Sequence, residues 1–141
     1  CLDLIKQLNA DGQFALRGFS HITGGGLAAN LARVLPQGTM ATIDRSTWSL
    51  PAVFSVMAQA GQVPLADLER TLNLGVGMVA VVSPKSAESA LTWLNNNGMT
   101  SWQMGVVDKL TDDASAAGDD FIQGAKGVDG GGVLLHGSYA Q

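Results

Sequence analysis

The sequence is poor in the features that would set it apart from an ordinary globular domain. Cys1 is its single cysteine, so no intramolecular disulfide can staple the fold. The longest apolar runs, such as MVAVV at 78–82, fall far short of the roughly 20 residues that a membrane-spanning helix needs. Lys and Arg number 8 against 12 Asp and Glu, giving a formal net charge of -4 and a pI near 4.8, with no basic cluster anywhere. That balance removes the electrostatic footprint of a nucleic-acid binder. HxxxH and CxxC spacings are missing, as is any familiar Ser/His/Asp order, so no metal site and no nucleophilic triad is legible. What remains is an expectation of a soluble, cytoplasmic domain whose partners are small molecules and proteins, without nucleic acid or membrane.

What is present suffices for one core. A length of 141 residues with 46% hydrophobic side chains supports a single domain over 1–141. The chain opens CLDLIKQLNADG without an initiator methionine, already inside an amphipathic pattern, which predicts a piece of something longer. Residues 1–12 then read as the end of a linking helix and a turn.

Periodicity predicts the rest. FALRGFSHI alternates like a short strand, and Leu27, Leu31, Val34 and Leu35 form one helical face closed by Pro36 and Gly38. GTMATID reads as a strand, SLPAVFSVMAQAG as a helix with an apolar face through Val53, Val56 and Met57, and PLADLERTLNL as another helix. GVGMVAVVS has the β-branched density of a buried central strand. A helix through Ala87, Ala90, Leu91 and Leu94 ends at NNNG, and TSWQMGVVDKL is the next strand. The Asp-, Ala- and Gly-rich stretch 111–129 lacks periodicity and predicts a flexible insertion, with 130–141 as a final strand folding back on WQMGVVDKL in an edge hairpin. The fold class expected is α+β, a layered α/β sandwich with a mixed, partly antiparallel sheet.

The stretch SHITGGGL carries the clearest chemical signal. Three glycines before a helix offer backbone N–H groups unobstructed by Cβ at the positive end of a helix dipole, a setting that favours phosphate. The spacing is neither a Walker loop nor GxGxxG, so a plain helix entry capped by Thr23 stands beside the ligand reading. His21 can donate to a phosphate, act as acid or base, or satisfy a strand carbonyl. Asn73, Gly75 and Gly77 sit at a helix-to-strand junction that either caps the helix or admits another group closely. Asp44 ends a strand, where a ligand contact and a turn-forming role are both open, and Trp48, Trp93 and Trp102 read as packing anchors.

Taken together and in order, HITGGGL, N-x-x-R-V-L-P from Asn30 to Pro36, W-x-x-P-x-V-F from Trp48 to Phe54 and N-x-G-x-G-M from Asn73 to Met78 resemble the phosphoribosylformylglycinamidine cyclo-ligase family. That family is also called aminoimidazole ribonucleotide synthetase, and the likeness is to its C-terminal domain, running from the first residue to about Val107. Two departures stand out: Leu74, where the family often has cysteine, and the acidic, glycine-rich segment after Lys109.

The resemblance implies the fold of that superfamily's C-terminal domain and an ATP-dependent ring closure of formylglycinamidine ribonucleotide in de novo purine synthesis. It implies ATP and Mg2+ as cofactors, held mainly by an N-terminal domain whose sequence is not in this chain, so the chain alone is expected to be inactive. It implies a ribonucleotide substrate, the chain's own N-terminal domain and a homodimer as partners. Thr23, Gly24, Gly25, Gly26, Asn73 and Gly75 become substrate- or phosphate-binding residues, His21 a candidate catalytic residue, and no residue a metal ligand. A non-catalytic assembly domain, or a domain of another ATP-dependent superfamily member, are the alternatives.

Overall fold

A computed structural model describes residues 1–9, 14–111, 117–124 and 130–140. Its contacts divide the chain into two compact units, Cys1–Phe19 with Ala80–Gln103, and Ser20–Val79 with Met104–Gln141. The elements in chain order are α1 (Leu2–Leu8), β1 (Leu16–His21), α2 (Gly26–Ala32), β2 (Thr39–Asp44), α3 (Ala52–Gly61) and α4 (Leu65–Thr71). Then follow β3 (Met78–Val82), α5 (Ala87–Asn96), β4 (Gly105–Lys109), β5 (Phe121–Gln123) and β6 (Gly132–His136).

The first unit holds α1, α5 and the outer portions of β1 and β3. Leu4 is buried on α1, which packs against α5, where Ala90 is the buried position. Ser83 N–H donates to the Ala15 carbonyl at 2.7 Å, tying the chain after β3 to the chain before β1.

The second unit is built on a sheet in the order β4-β2-β6-β5. β2 runs antiparallel to β4 and parallel to β6, and β5 runs antiparallel to β6, so the sheet is mixed. β2 is the natural centre because Met40, Ala41 and Ile43 are all buried, as expected of a strand paired on both edges. α2 lies against β6 and β5 with α4 packed on it, and Leu27, Leu31, Ala32, Leu35, Val133 and Leu135 make the core between them. The architecture is α+β with a mixed, partly antiparallel sheet, as the periodicity implied.

Two expectations about strand neighbours are corrected. β6 does not form a hairpin with β4, because β2 lies between them. What admits β6 there is a lack of side chains: a Cβ on Gly131 would sit 2.8 Å from that of Leu35, and one on Gly132 would sit 2.6 Å from the Phe121 ring. β3 is not a central strand either. It belongs to a two-stranded sheet with β1, and only Val79 along it is fully buried.

The segment 111–129 falls partly outside the described residues, at 112–116 and 125–129. Between these, a helical turn over 117–120 leads into β5, which pairs with β6. Of 1–12, the described part is α1 and its end, and residues 10–12 lie outside the description. Within 130–141, β6 is followed by a bridge of Ala140 to Ser49, and Gln141 lies outside the description. No helix among the described residues is long and apolar enough to cross a membrane.

Candidate functional site

The candidate binding and catalytic residues, from His21 to Gly26 with Asn73 and Gly75, lie in the second unit, and backbone hydrogen bonds join their two motifs. Ile22 N–H donates to the Gly77 carbonyl at 3.0 Å, and Gly25 N–H to the Thr71 carbonyl at 3.3 Å. The triple-glycine turn is therefore laced to the segment carrying Asn73 and Gly75, although some fifty residues separate them in sequence. His21, Thr23, Gly24 and Gly75 are exposed, and Asn73 is half-buried.

The three glycines differ in what they do. Gly25, with φ 101°, donates its N–H to Thr71, and Gly26, with φ 74°, donates its own to the Thr23 carbonyl at 3.2 Å. Both conformations are ones that a side chain disfavours. A Cβ on Gly26 would also drive into the Glu69 carbonyl, so this glycine lets α2 and α4 touch backbone to backbone. Gly24 is free of such demands, with nothing within 4 Å of a Cβ built on it.

One side chain holds this turn. Asn30 is buried within an otherwise apolar helix, and its Nδ2 donates to the carbonyls of Gly26 at 2.7 Å and of Thr23 and Gly24 at 3.3 Å each. Its Oδ1 accepts from Nη1 of Arg33 at 3.3 Å, and Arg33 Nη2 lies 3.8 Å from where a Gly25 Cβ would be. Neither residue emerged as a site residue from the sequence. The signal was there: a lone polar residue in GLAANLA with arginine three positions later, on the same helical face.

The Asn73 turn is equally constrained. Gly75 N–H donates to Asn73 Oδ1 at 3.2 Å and Val76 N–H to the Asn73 carbonyl at 2.9 Å, an Asx turn closed over Leu74 and Gly75. Leu74 holds φ 46°, which is costly for a side-chain-bearing residue, and it is fixed there by burial and by Trp48, whose Nε1 donates to its carbonyl at 3.3 Å.

Beneath the glycine turn, Glu69 anchors a half-buried charge network. Arg45 donates to both carboxylate oxygens of Glu69 at 2.8 Å and to Asp120 at 2.7 Å, while Tyr139 donates its hydroxyl to Glu69 and stacks edge-on against Trp48. Burial alone would raise the Glu69 carboxyl, but the Arg45 and Tyr139 hydrogen bonds outweigh it and hold the group below the ordinary glutamate range. Burial and the Glu69 carboxylate push the Tyr139 phenol well above its usual range. Asp119 pairs with Arg70 at 2.9 Å, so the turn over 117–120 clips onto both arginines. At the end of β2, Asp44 stands in register with His136. Its carboxyl is held low by hydrogen bonds from Ser46, with the His136 charge adding to them.

Among the described residues no group of three or more His, Cys, Asp or Glu could hold a metal ion. A groove of ≈ 230 Å³ runs along α3, lined by Leu50, Phe54, Ser55, Ala58, Gln59 and Leu65. It contains none of the residues above, and no charged side chain lines it.

Residues 1–115 match the family model described as AIR synthase related protein, C-terminal domain. The chain belongs to this family. Within it, the chain is 47% identical over 122 residues to a Streptomyces fradiae protein named "Putative phosphoribosylformylglycinamidine cyclo-ligase", a match covering 86% of this chain and 60% of that protein. It is 45% identical over 104 residues to the phosphoribosylformylglycinamidine cyclo-ligase of a Synechococcus strain, covering 74% of this chain and 30% of the other. The Sorangium cellulosum enzyme of the same name is 47% identical over 98 residues, covering 70% and 28%. The chain thus spans under two thirds of the length of these relatives and matches them as a family C-terminal domain.

Proposed function

We propose that this chain is the C-terminal half of an ATP-dependent cyclo-ligase that converts formylglycinamidine ribonucleotide to aminoimidazole ribonucleotide. In that reaction the substrate's amide oxygen takes a phosphoryl group from ATP, and attack of the ring-forming nitrogen on the same carbon then expels phosphate. ATP turns a poor oxygen leaving group into a good one. ATP and Mg2+ belong mainly to the N-terminal half, and this chain supplies one wall of the substrate site.

The observation that carries the reading is the lacing of HITGGGL to the Asn73 turn, in a member of this family. It gathers His21, Thr23, Gly24, Asn73 and Gly75 on one edge of the second unit. Thr23 and Gly24 would meet a phosphate of substrate or nucleotide, Asn73 and Gly75 would line the same wall, and His21 could hold or pass a proton. Gly25 and Gly26 serve the wall by shape, since both of their N–H groups already have partners.

The test is steady-state ring closure by the full-length protein carrying His21→Ala or Gly24→Val. Both sites are exposed and the second meets no neighbour, so the fold should survive. Loss of kcat/KM by tenfold or more in either supports the reading, and unchanged kinetics in both overturns it.

A second reading, a non-catalytic assembly domain, is favoured by α3, which has no buried residue and leaves Val53, Val56 and Met57 exposed. A domain of another ATP-dependent superfamily member is the third. The sequence of the N-terminal half separates that one from the first.

A further inference from the structure

We infer that Arg33 is the group that recognises the phosphate at the glycine turn. The inference rests on reading that turn as a phosphate site and reassigns its chemistry from backbone to side chain. Three glycines in sequence suggest a cradle of amides, but the N–H groups of Gly25 and Gly26 are spent on the carbonyls of Thr71 and Thr23. The carbonyls of Thr23, Gly24 and Gly26 are in turn spent on Asn30. The backbone of the turn is largely self-satisfied, and a dianion needs a positive charge from elsewhere.

Arg33 supplies it. Arg45 and Arg70 are ion-paired, the first bidentately to Glu69 and the second to Asp119. Arg33 has no carboxylate partner among the described residues, and its one side-chain hydrogen bond there is to a neutral amide oxygen, Asn30 Oδ1. That bond takes one N–H and fixes the guanidinium plane, with Nη2 lying over Gly25. The other donors stay available in the fork geometry that suits two phosphate oxygens. The residue is half-buried, which limits solvent screening without sealing the charge away. Asn30 is then a positioning residue, since one amide sets both the turn and the arginine. Gly25 serves the arrangement through its φ of 101°, and a Cβ there would lie in ordinary contact with Arg33 Nη2 at 3.8 Å.

The experiment titrates the 141-residue chain with inorganic phosphate and with ribose 5-phosphate, following backbone amides and the Arg33 Nε–H by NMR. The expected result is saturable shifts at Thr23, Gly24 and the Arg33 Nε–H with either ligand. Arg33→Gln, or Arg33→Met if the first melts early, should weaken binding on the order of tenfold, as loss of a charge-assisted hydrogen bond does. Shifts at Thr23 and Gly24 with a stationary Arg33 Nε–H, or a folded variant that binds like the parent, overturn the role of Arg33 while leaving the phosphate site standing. If none of the three residues responds to either ligand, the phosphate reading falls as well.

Discussion

The carbonyl of Glu69 occupies the space that a side chain on Gly26 would need. The contact joins the first residue of α2 to the middle of α4, and it makes Gly26 a packing glycine, whereas Gly24 two residues earlier faces open space.

That difference predicts opposite outcomes for the same change. Gly26→Ala combines a left-handed backbone with a clash against main chain and should cost about 3 kcal/mol, from roughly 1–2 for the dihedral and 1–3 for overpacking. Gly24→Ala should stay within about 0.5 kcal/mol of the parent. Urea denaturation of the two variants checks this, and equal midpoints would mean that α2 and α4 do not meet as described.

Asn30 predicts a cost out of proportion to its size. Replacing it with Leu keeps the volume but removes the side-chain donor shared by three carbonyls, of which that of Thr23 also accepts from the Gly26 N–H, and breaks the Arg33 contact, so a loss of about 1–3 kcal/mol is expected. Amide exchange should localise the damage: faster exchange at Gly25 and Gly26, whose N–H groups depend on the turn, with β2 and β6 unaffected. Uniform acceleration across the sheet would place Asn30 in the core generally and not in the turn.

How much of this was legible follows from the kind of signal each element leaves. α2, α3, α4 and α5 declare themselves by apolar spacing with Pro51, Pro64 or a glycine at the boundary, since helices are set by local bonds. Strand neighbours are not local, so the alternation in GVLLH could mark β6 as a strand but not say that β2 would be its partner. The β-branched run of β3 resembled a central strand because composition reports the preference for extended backbone and not the number of neighbours. β5 escaped notice altogether, three residues being too short to show a period. The period places an apolar stripe on α3 through Val53, Val56 and Met57 without naming what covers it, and all three are exposed. For the site, glycines and histidine were visible, while Arg33 and Asn30 acquire meaning only when a helix folds them back over the turn.

The Arg45–Glu69 pair predicts a pH dependence whose sign can be worked out. The Glu69 carboxyl lies below its ordinary 4.5 in the folded chain, so near that pH the unfolded chain binds more protons than the folded one. Stability from this group is therefore complete above about 4.5 and lost as pH falls through the lower, folded-state value. Glu69→Gln should remove that portion of the acid-side slope and lower stability at neutral pH by about 2 kcal/mol, the range for a hydrogen-bonded charge in a half-buried setting. Denaturation curves at several pH values from 3 to 7 would show it, and an unchanged slope would exclude Glu69 as a contributor.

Tyr139 gives the same network an optical reporter, because it is the chain's single tyrosine. Its phenol is raised by burial and by the carboxylate that accepts its hydrogen bond, so the folded chain should show little phenolate absorbance at pH values where free tyrosine is half ionised, near 10. A raised value favours the neutral form, so its stabilising contribution is full below the unfolded value and declines as pH climbs beyond it. Glu69→Gln removes the negative charge but leaves the burial, and should move the titration partway back towards 10 while the fold persists. Trp48→Phe keeps the carboxylate while loosening the edge-on ring contact and removing the bond to the Leu74 carbonyl, so it should move the titration less. If the two variants shift it equally, burial alone sets the phenol and the hydrogen bond to Glu69 has no part in it.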